Sequence, residues 1–475
     1  MTQCNEQLTL FQPHSQRDVQ ADFSAEPISS DGGGLLLREI EQRLGIIDSF
    51  VECFRDHRDP DRIEFSVREL LTQQIMGLAL GYEDLNDHDV LRSDRLLALL
   101  VGRSDITGQD RRDEQDRGKP LAGKSTLNRL QLTPPGASQE SRYKKIVANV
   151  DSLHERLIDL FLKLRSLQGT PEELILDFDA TDDPIHGDQL GKFFHGYYGH
   201  YCFLPLYAFC DGWPLVAQLR PSNIDASAGT VEHLARMVPK LRAVWPEVKI
   251  MVRGDGGFCR EPILRWCEEN DVDYVIGLAK NDRLKREIEN ERLAARMFYH
   301  DNSQPARLFK CFEYKTRKSW SQKRTVVAKA EHLSKGENPR FVVTSLELAK
   351  SNPQALYEQI YCARGEMENR IKEQQLMLFA DRTSAHTMRA NQLRLTFSTI
   401  AYVLHHALRT FGLSGTELAS AQADTIRTRV LKIGAQIKVT VRRIWVRLSS
   451  AHPLQKIFET IISHLRTNLP PPLAS

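Results

Sequence analysis

Four residues in the segment YCARGEMENRIK, Tyr361 to Lys372, have types and spacing that suit joint chemistry if the segment is helical. Tyr361, Arg364, Glu368 and Lys372 stand at i, i+3, i+7 and i+11, which at 3.6 residues per turn is an arc of about 80°. A phenol, a guanidinium, a carboxylate and an ammonium on one face suit a wall that meets a phosphodiester. A solvated face with an Arg364–Glu368 i,i+4 pair explains the same pattern, at about a few tenths of a kcal/mol. Other acids must decide between the two. LILDFDATDD puts Asp177 and Asp179 two apart on a strand, hence on one face, with Asp182 and Asp183 just beyond. KIMVRGD brings Asp255 to the end of a short apolar strand before Gly256-Gly257. A carboxylate at a strand end, beside permissive backbone, faces a cleft. Several carboxylates brought together repel unless a cation neutralises them. Hard oxygen donors without a Cys/His cluster suit Mg²⁺ or Mn²⁺ rather than zinc.

The elements that must position these acids change character along the chain. Residues 1–168 read as mostly helical, with a capped helix after Ser29-Ser30-Asp31, a second over Phe65–Leu80 and a third over Asp84–Leu100. Residues 169–279 read as strand, strand, strand, helix, strand, helix, strand, which is a mixed α/β sheet with helices on its faces. Asp211-Gly212 predicts a hairpin turn between the second and third strands. Residues 280–352 are polar, basic and strand-like, a β-rich insertion. Residues 353–412 hold the Glu368 helix and a second helix over His386–Thr410. Residues 413–475 form a basic C-terminal region that includes Lys438, Arg442, Arg443 and Arg447.

Charge follows the same division. The overall formal charge of +2 divides into −14 over residues 1–279, +8 over 280–350, −1 over 351–380 and +9 over 381–475. An acidic first half beside two basic blocks suggests carboxylate chemistry served by a polyanion-binding surface. No run of eighteen apolar residues exists, so no membrane span is expected. The N-terminus lacks the apolar core of a signal peptide. The eight cysteines are scattered with no Cys-x-x-Cys, which predicts buried free thiols in a reducing cytoplasm.

LILDFDATDDPIHG, then MVRGDGGF, then Tyr361-x-x-Arg364-x-x-x-Glu368 resemble the DDE transposases of bacterial insertion sequences. HGYYGHYCFLPLYAF and LRPSNIDASAG look like the insertion-sequence family numbered thirteen-eighty, and the resemblance runs from about Asp31 to about Leu448. It implies an RNase H-like catalytic domain interrupted by the β-rich insertion and preceded by a helical DNA-binding domain. It also implies three catalytic, metal-binding carboxylates, Asp179, Asp255 and Glu368, holding two Mg²⁺ ions, with Mn²⁺ as substitute. Asp177, Asp182 and Asp183 compete with Asp179 for the first place, and Asp179 is preferred because it matches the family's Asp-x-Thr at the strand end. Tyr361, Arg364 and Lys372 would grip the phosphate backbone. One position departs: the family's lysine seven residues after the glutamate is Gln375 here. In this superfamily a tryptophan of the insertion can stack on a flipped base, and Trp320, beside Arg317 and Lys318 in KTRKSWSQKR, is the matching residue. Packing on an insertion strand is the alternative for that ring.

The expected function is therefore cut-and-paste DNA transposition by metal-assisted cleavage and strand transfer, with binding to terminal inverted repeats and target DNA. The basic insertion and tail, Arg442 and Arg443 included, would contribute to that binding. At least a dimer on two DNA ends, a bacterial cytoplasmic location at the nucleoid, and no membrane partner go with it. A metal-dependent nuclease of the same fold, which hydrolyses without joining, is the alternative. A DNA-binding protein with a dead catalytic domain is disfavoured because all three acids are present. GKPLAGKS, Gly118 to Ser125, matches the phosphate-binding-loop pattern, but no buried strand precedes it, so no nucleotide cofactor is expected. Ser125 or Thr126 is expected to cap the next helix instead. His186, His195 and His200 are read as structural hydrogen-bonding groups, and Asp182 and Asp183 as turn caps.

Overall fold

The computed structural model describes residues 9–22, 24–185 and 187–473. His186 lies outside them. The chain builds a mixed α/β architecture around one large sheet. Its first five long strands are β1 (Glu173–Ala180), β2 (Leu206–Cys210), β3 (Trp213–Gln218), β4 (Lys249–Gly254) and β5 (Asp273–Leu278). They line up in the order β3-β2-β1-β4-β5, with β1, β2 and β3 antiparallel and β4 and β5 continuing parallel to β1. The β2–β3 turn is the Asp211-Gly212 pair, at φ 51° and 80°. Two positive φ values give the turn whose twist matches the flanking strands.

The segment read as a separate β-rich insertion extends this sheet. β6 (Ala306–Tyr314), β7 (Arg324–Leu333) and β8 (Arg340–Thr344) add to β5 in the order β5-β8-β7-β6. It also begins with two helices, Asp282–Glu287 and Glu289–Asn302, that strand-like composition had hidden. One face of the extended sheet packs Met251, Val275, Val327 and Val342 against Leu356 and Tyr357. The other face carries Leu174, Leu176, Phe178 and Ile250 into a continuous core that also takes in Leu36 and Leu465. The N-terminal and C-terminal helices therefore share that core.

Helix α1 (Val67–Leu80) is buried along nearly its whole length and packs on α2 (Met388–Ala407). Ser66 and Glu69 close its N-terminus as a reciprocal capping box. The helix expected over Asp84–Leu100 is broken: a short turn ends at Leu91, and Asp94 caps a new helix, Arg95–Val101. No side-chain cap opens the helix after Gly33; Asp31 instead accepts from Tyr82 Oη at 2.6 Å and pairs with Lys432 at 2.6 Å. Lys124 starts the helix after Gly123 without a side-chain cap, so neither Ser125 nor Thr126 plays that part. A turn of Glu114–Asp116, not a strand, precedes the glycine-rich loop, and Lys124 pairs with Asp89. Cys202, Cys210 and Cys267 are buried free thiols, whereas Cys362 is exposed. Among the described residues no helix is long and apolar enough to cross a membrane.

Candidate active site

Register brings the two aspartates together. Gly254 of β4 pairs in parallel with Phe178 of β1, so the next residue on each chain, Asp255 and Asp179, comes side by side at one sheet edge. One step earlier Arg253 pairs with Asp177, and its guanidinium holds that carboxylate at 2.5 and 2.7 Å. The same guanidinium donates to the Ile360 carbonyl at 2.5 Å. Arg253 thus fastens both aspartate strands to the segment that carries Glu368. Sequence reading missed this arginine; its place two residues before Asp255 on an apolar strand was the available signal.

That segment is a rod of changing pitch. Leu356–Tyr361 is a π turn, Cys362–Arg364 is 3₁₀, Gly365–Lys372 is α, and Glu373–Met377 is π again. The stripe is therefore not an ideal α-helical face. π turns commonly mark functional sites because they re-aim side chains within a helix. Tyr361 here points at β5, where a Cβ on Gly277 would lie 2.5 Å from its hydroxyl and 2.9 Å from the Gly256 amide. Glycine at 277 leaves the room that the phenol fills.

Arg364 bridges two of the acids. It reaches Asp179 Oδ2 at 3.2 Å and Glu368 Oε1 at 2.8 Å. The expected i,i+4 pair exists, but Asp179, from a strand 185 residues away in sequence, makes it a junction. Burial pushes the Asp179 carboxyl up to about 6; the Arg364 guanidinium opposes the rise, and the charges of Asp255 and Glu368 add to it. Asp255 Oδ1 accepts from the Gly257 amide at 2.8 Å, which fixes the carboxylate over the glycine turn. The Tyr361 hydroxyl is raised by burial, with Arg364 and Asp255 next in influence. The acids and two of the three proposed phosphate contacts thus share one neighbourhood.

The remaining candidates separate. The Lys372 side chain is exposed and has no hydrogen bond or ion pair with the described residues. Gln375, at the position where the family has lysine, donates to the Asp182 carbonyl at 3.1 Å. Asp182 lies 2.8 Å from His200 Nε2, and Asp183 is 1 % exposed and opens a short strand against Phe203, so neither is a turn cap. Burial holds the Asp183 carboxyl well above its usual range. Trp320 is only 4 % exposed; Tyr314 meets it edge-on at 5.9 Å and Arg324 covers it at 5.4 Å. The ring expected to stack on a base is packed inside the insertion, while Arg317 and Lys318 beside it are exposed. Arg442 and Arg443 occupy the tip of a hairpin formed by β9 (Ala435–Val439) and β10 (Ile444–Leu448).

Three carboxylates converging on one edge are the donor set a hard divalent cation requires. Among the described residues, no group of three His, Cys, Asp or Glu side chains is set to hold a metal as it stands. The positive charge between Asp179 and Glu368 is that of Arg364.

The profile of the family described as Transposase DDE domain group 1 matches residues 11–470. No curated protein matches the chain. Enzymes of this family process nucleic acid and generally use divalent metal ions. With nearly its whole length matched, this chain belongs to the DDE transposases.

Proposed function

We propose that the protein cuts the ends of an insertion sequence and joins the 3′-hydroxyls to target DNA, using Asp179, Asp255 and Glu368 as its acid triad. The observation that carries this reading is the junction at Arg364, which joins Asp179 to Glu368 beside the strand end that carries Asp255. The strand order β3-β2-β1-β4-β5 supports an RNase H-like core. Asp177 is engaged by Arg253, Asp182 stands against His200 and Asp183 is buried, which favours Asp179 as the first metal ligand.

Two Mg²⁺ ions, or Mn²⁺ in their place, would supply activation of the attacking hydroxyl and stabilisation of the leaving oxygen. The chain's own residues bind and orient. Arg364, which now balances Asp179 and Glu368, would be free to take a phosphate oxygen were those carboxylates to hold a cation. Tyr361, wedged against Gly277, fixes the angle at which that guanidinium meets the strand. Lys372, one turn beyond Glu368 and unengaged, adds a charge to the same strand. Farther out, Arg317 and Lys318 and the hairpin tip at Arg442 and Arg443 hold the duplex backbone of the terminal repeats. A dimer on two DNA ends completes the reading.

The test starts from the DNA flanking the gene, where terminal inverted repeats define the substrate. With precut ends and Mn²⁺, joined product is expected, and Asp179→Asn, Asp255→Asn and Glu368→Gln each lower its rate by about a hundredfold or more. Hydrolysis without joined product would instead establish a nuclease. Full activity in Glu368→Gln would remove Glu368 from the triad.

A further inference from the structure

Between β1 and β2 the chain makes a small three-stranded sheet from Asp183–Pro184, Phe193–His195 and His200–Phe203. Its outer hairpin is aromatic and open to water. Phe194 is 58 % exposed, Tyr197 86 % and Tyr201 53 %. Exposed single aromatics are ordinary, but several together on one short hairpin mark a binding surface. Cross-strand pairing sets Phe194 beside Tyr201, with centroids 5.6 Å apart and planes at 76°. At the tip, Tyr197 stands edge-on to Tyr198 at 5.0 Å. Such edge-on arrangements leave ring faces uncovered.

The hairpin leads back to the acids. Tyr198 lies 6.1 Å from the His200 ring, and His200 Nε2 lies 2.8 Å from Asp182 Oδ2. Tyr198 is also within electrostatic reach of Asp179 itself. The base of the hairpin is anchored: the Leu190 amide donates to the His386 carbonyl at 3.0 Å, and Ser222 Oγ donates to the Phe193 carbonyl at 3.0 Å. Lys192 Nζ stands 5.7 Å from the Tyr201 centroid and pairs with Asp188 at 3.0 Å. Uncovered aromatic faces on a fixed support next to the acids match the bases of single-stranded nucleic acid, which stack on such rings. In a duplex those faces are covered by the neighbouring bases.

We propose that the Phe193–Tyr201 hairpin is a stacking platform for unpaired nucleotides of the DNA strand held at Asp179. The proposal rests on reading Asp179, Asp255 and Glu368 as the DNA-processing site. It moves base stacking away from the buried Trp320 to the loop between the first two strands. Phe194 and Tyr201 receive one face of the strand, and Tyr197 at the tip receives the base farthest from the acids.

The experiment measures binding of the full chain, without divalent ion, to a fluorescein-labelled oligo-dT strand and to a duplex of equal length. Phe194→Ala and Tyr197→Ala are each expected to weaken single-strand binding by about fivefold or more. Duplex binding should stay within about twofold, because it depends on phosphate contacts elsewhere. Tyr197→Phe keeps the ring and should keep the affinity. A 2-aminopurine base in the single strand should be quenched by the parent protein and regain emission with Tyr197→Ala. Tyr197 is exposed enough that its loss does not threaten folding. Unchanged single-strand affinity in both alanine variants, or an equal loss on both DNAs, would overturn the platform. A change in sedimentation with single-strand binding intact would give the patch to a second copy of the chain and also overturn it. Because no cleavage is read, failure here is distinct from failure of the transposition reading, which shows as absence of joined product.

Discussion

At the residue scale, Asp177 and Asp179 show how two like residues on one strand face take opposite roles. Asp177 is held bidentately by Arg253, with both side chains nearly buried. Removing one partner of such a pair strands the other charge. Asp177→Ala should therefore cost about 3 kcal/mol or more in denaturant unfolding. Asp179 is different: burial and two neighbouring carboxylates oppose its ionised form, and Arg364 alone among its partners offsets them by charge. Asp179→Asn should leave stability unchanged or raised while abolishing DNA cleavage. A matched pair of unfolding curves and a cleavage assay check both. Loss of stability in Asp179→Asn would make it a structural acid. The sequence announced both aspartates, but which one was engaged depended on Arg253, whose partner no spacing rule identifies.

At the element scale, the Glu368 rod works through its irregular pitch and its glycine neighbour. A Cβ at 277 would press on the Tyr361 hydroxyl, so Gly277→Ala should slow cleavage by about tenfold or more through displacement of the grip. It should also lower the melting temperature, and Tyr361→Phe in the same chain should recover part of that loss. If the double variant melts no higher than Gly277→Ala alone, the contact is not the cause. The β9–β10 hairpin tests DNA contact separately. Lys438, Arg442, Arg443 and Arg447 are exposed and have no carboxylate partner among the described residues. Converting Arg442 and Arg443 to Ala should weaken duplex binding and reduce the slope of log affinity against log salt by about 2. An unchanged slope would place the duplex elsewhere. Ile437, Val439, Val446 and Leu448 alternate with Lys438 and Arg447 and mark the two strands in the sequence, because a strand's period of two is local.

At the scale of the whole molecule, the shared core makes acid stability a property of distant parts. His405 is fully buried in α2, and its Nε2 lies 2.9 Å from the Ala79 carbonyl of α1. Burial lowers its pKa from 6.5 to about 3. The unfolded chain takes up that proton first, so this contribution is complete above pH 6.5 and is lost as pH falls toward 3. Glu41 has the reverse sign. Burial raises it from 4.5 to about 7, so its protonated folded form favours the native state below 4.5 and that advantage disappears as pH rises to 7. The stability of the parent relative to His405→Gln should shrink as pH falls through the first window. Relative to Glu41→Gln it should grow as pH falls through the second. Parallel pH profiles for parent and variants would contradict both assignments.

The sequence by itself determined the principal strands and helices over residues 169–279, though not the small sheet between Asp183 and Phe203, together with the hairpin turn at Asp211-Gly212 and the acids at the strand ends and on the rod. These depend on local periodicity and turn chemistry, which neighbouring residues carry. It also carried the family, through LILDFDAT, MVRGDGG and the Tyr361–Glu368 spacing. Only the tertiary structure decided that the insertion extends the sheet, that Trp320 is buried while the Phe194–Tyr201 hairpin is exposed, and that Arg364 joins Asp179 to Glu368. Each of these depends on which surfaces pack together across long stretches of chain, and burial or pairing at that range leaves no period in the sequence.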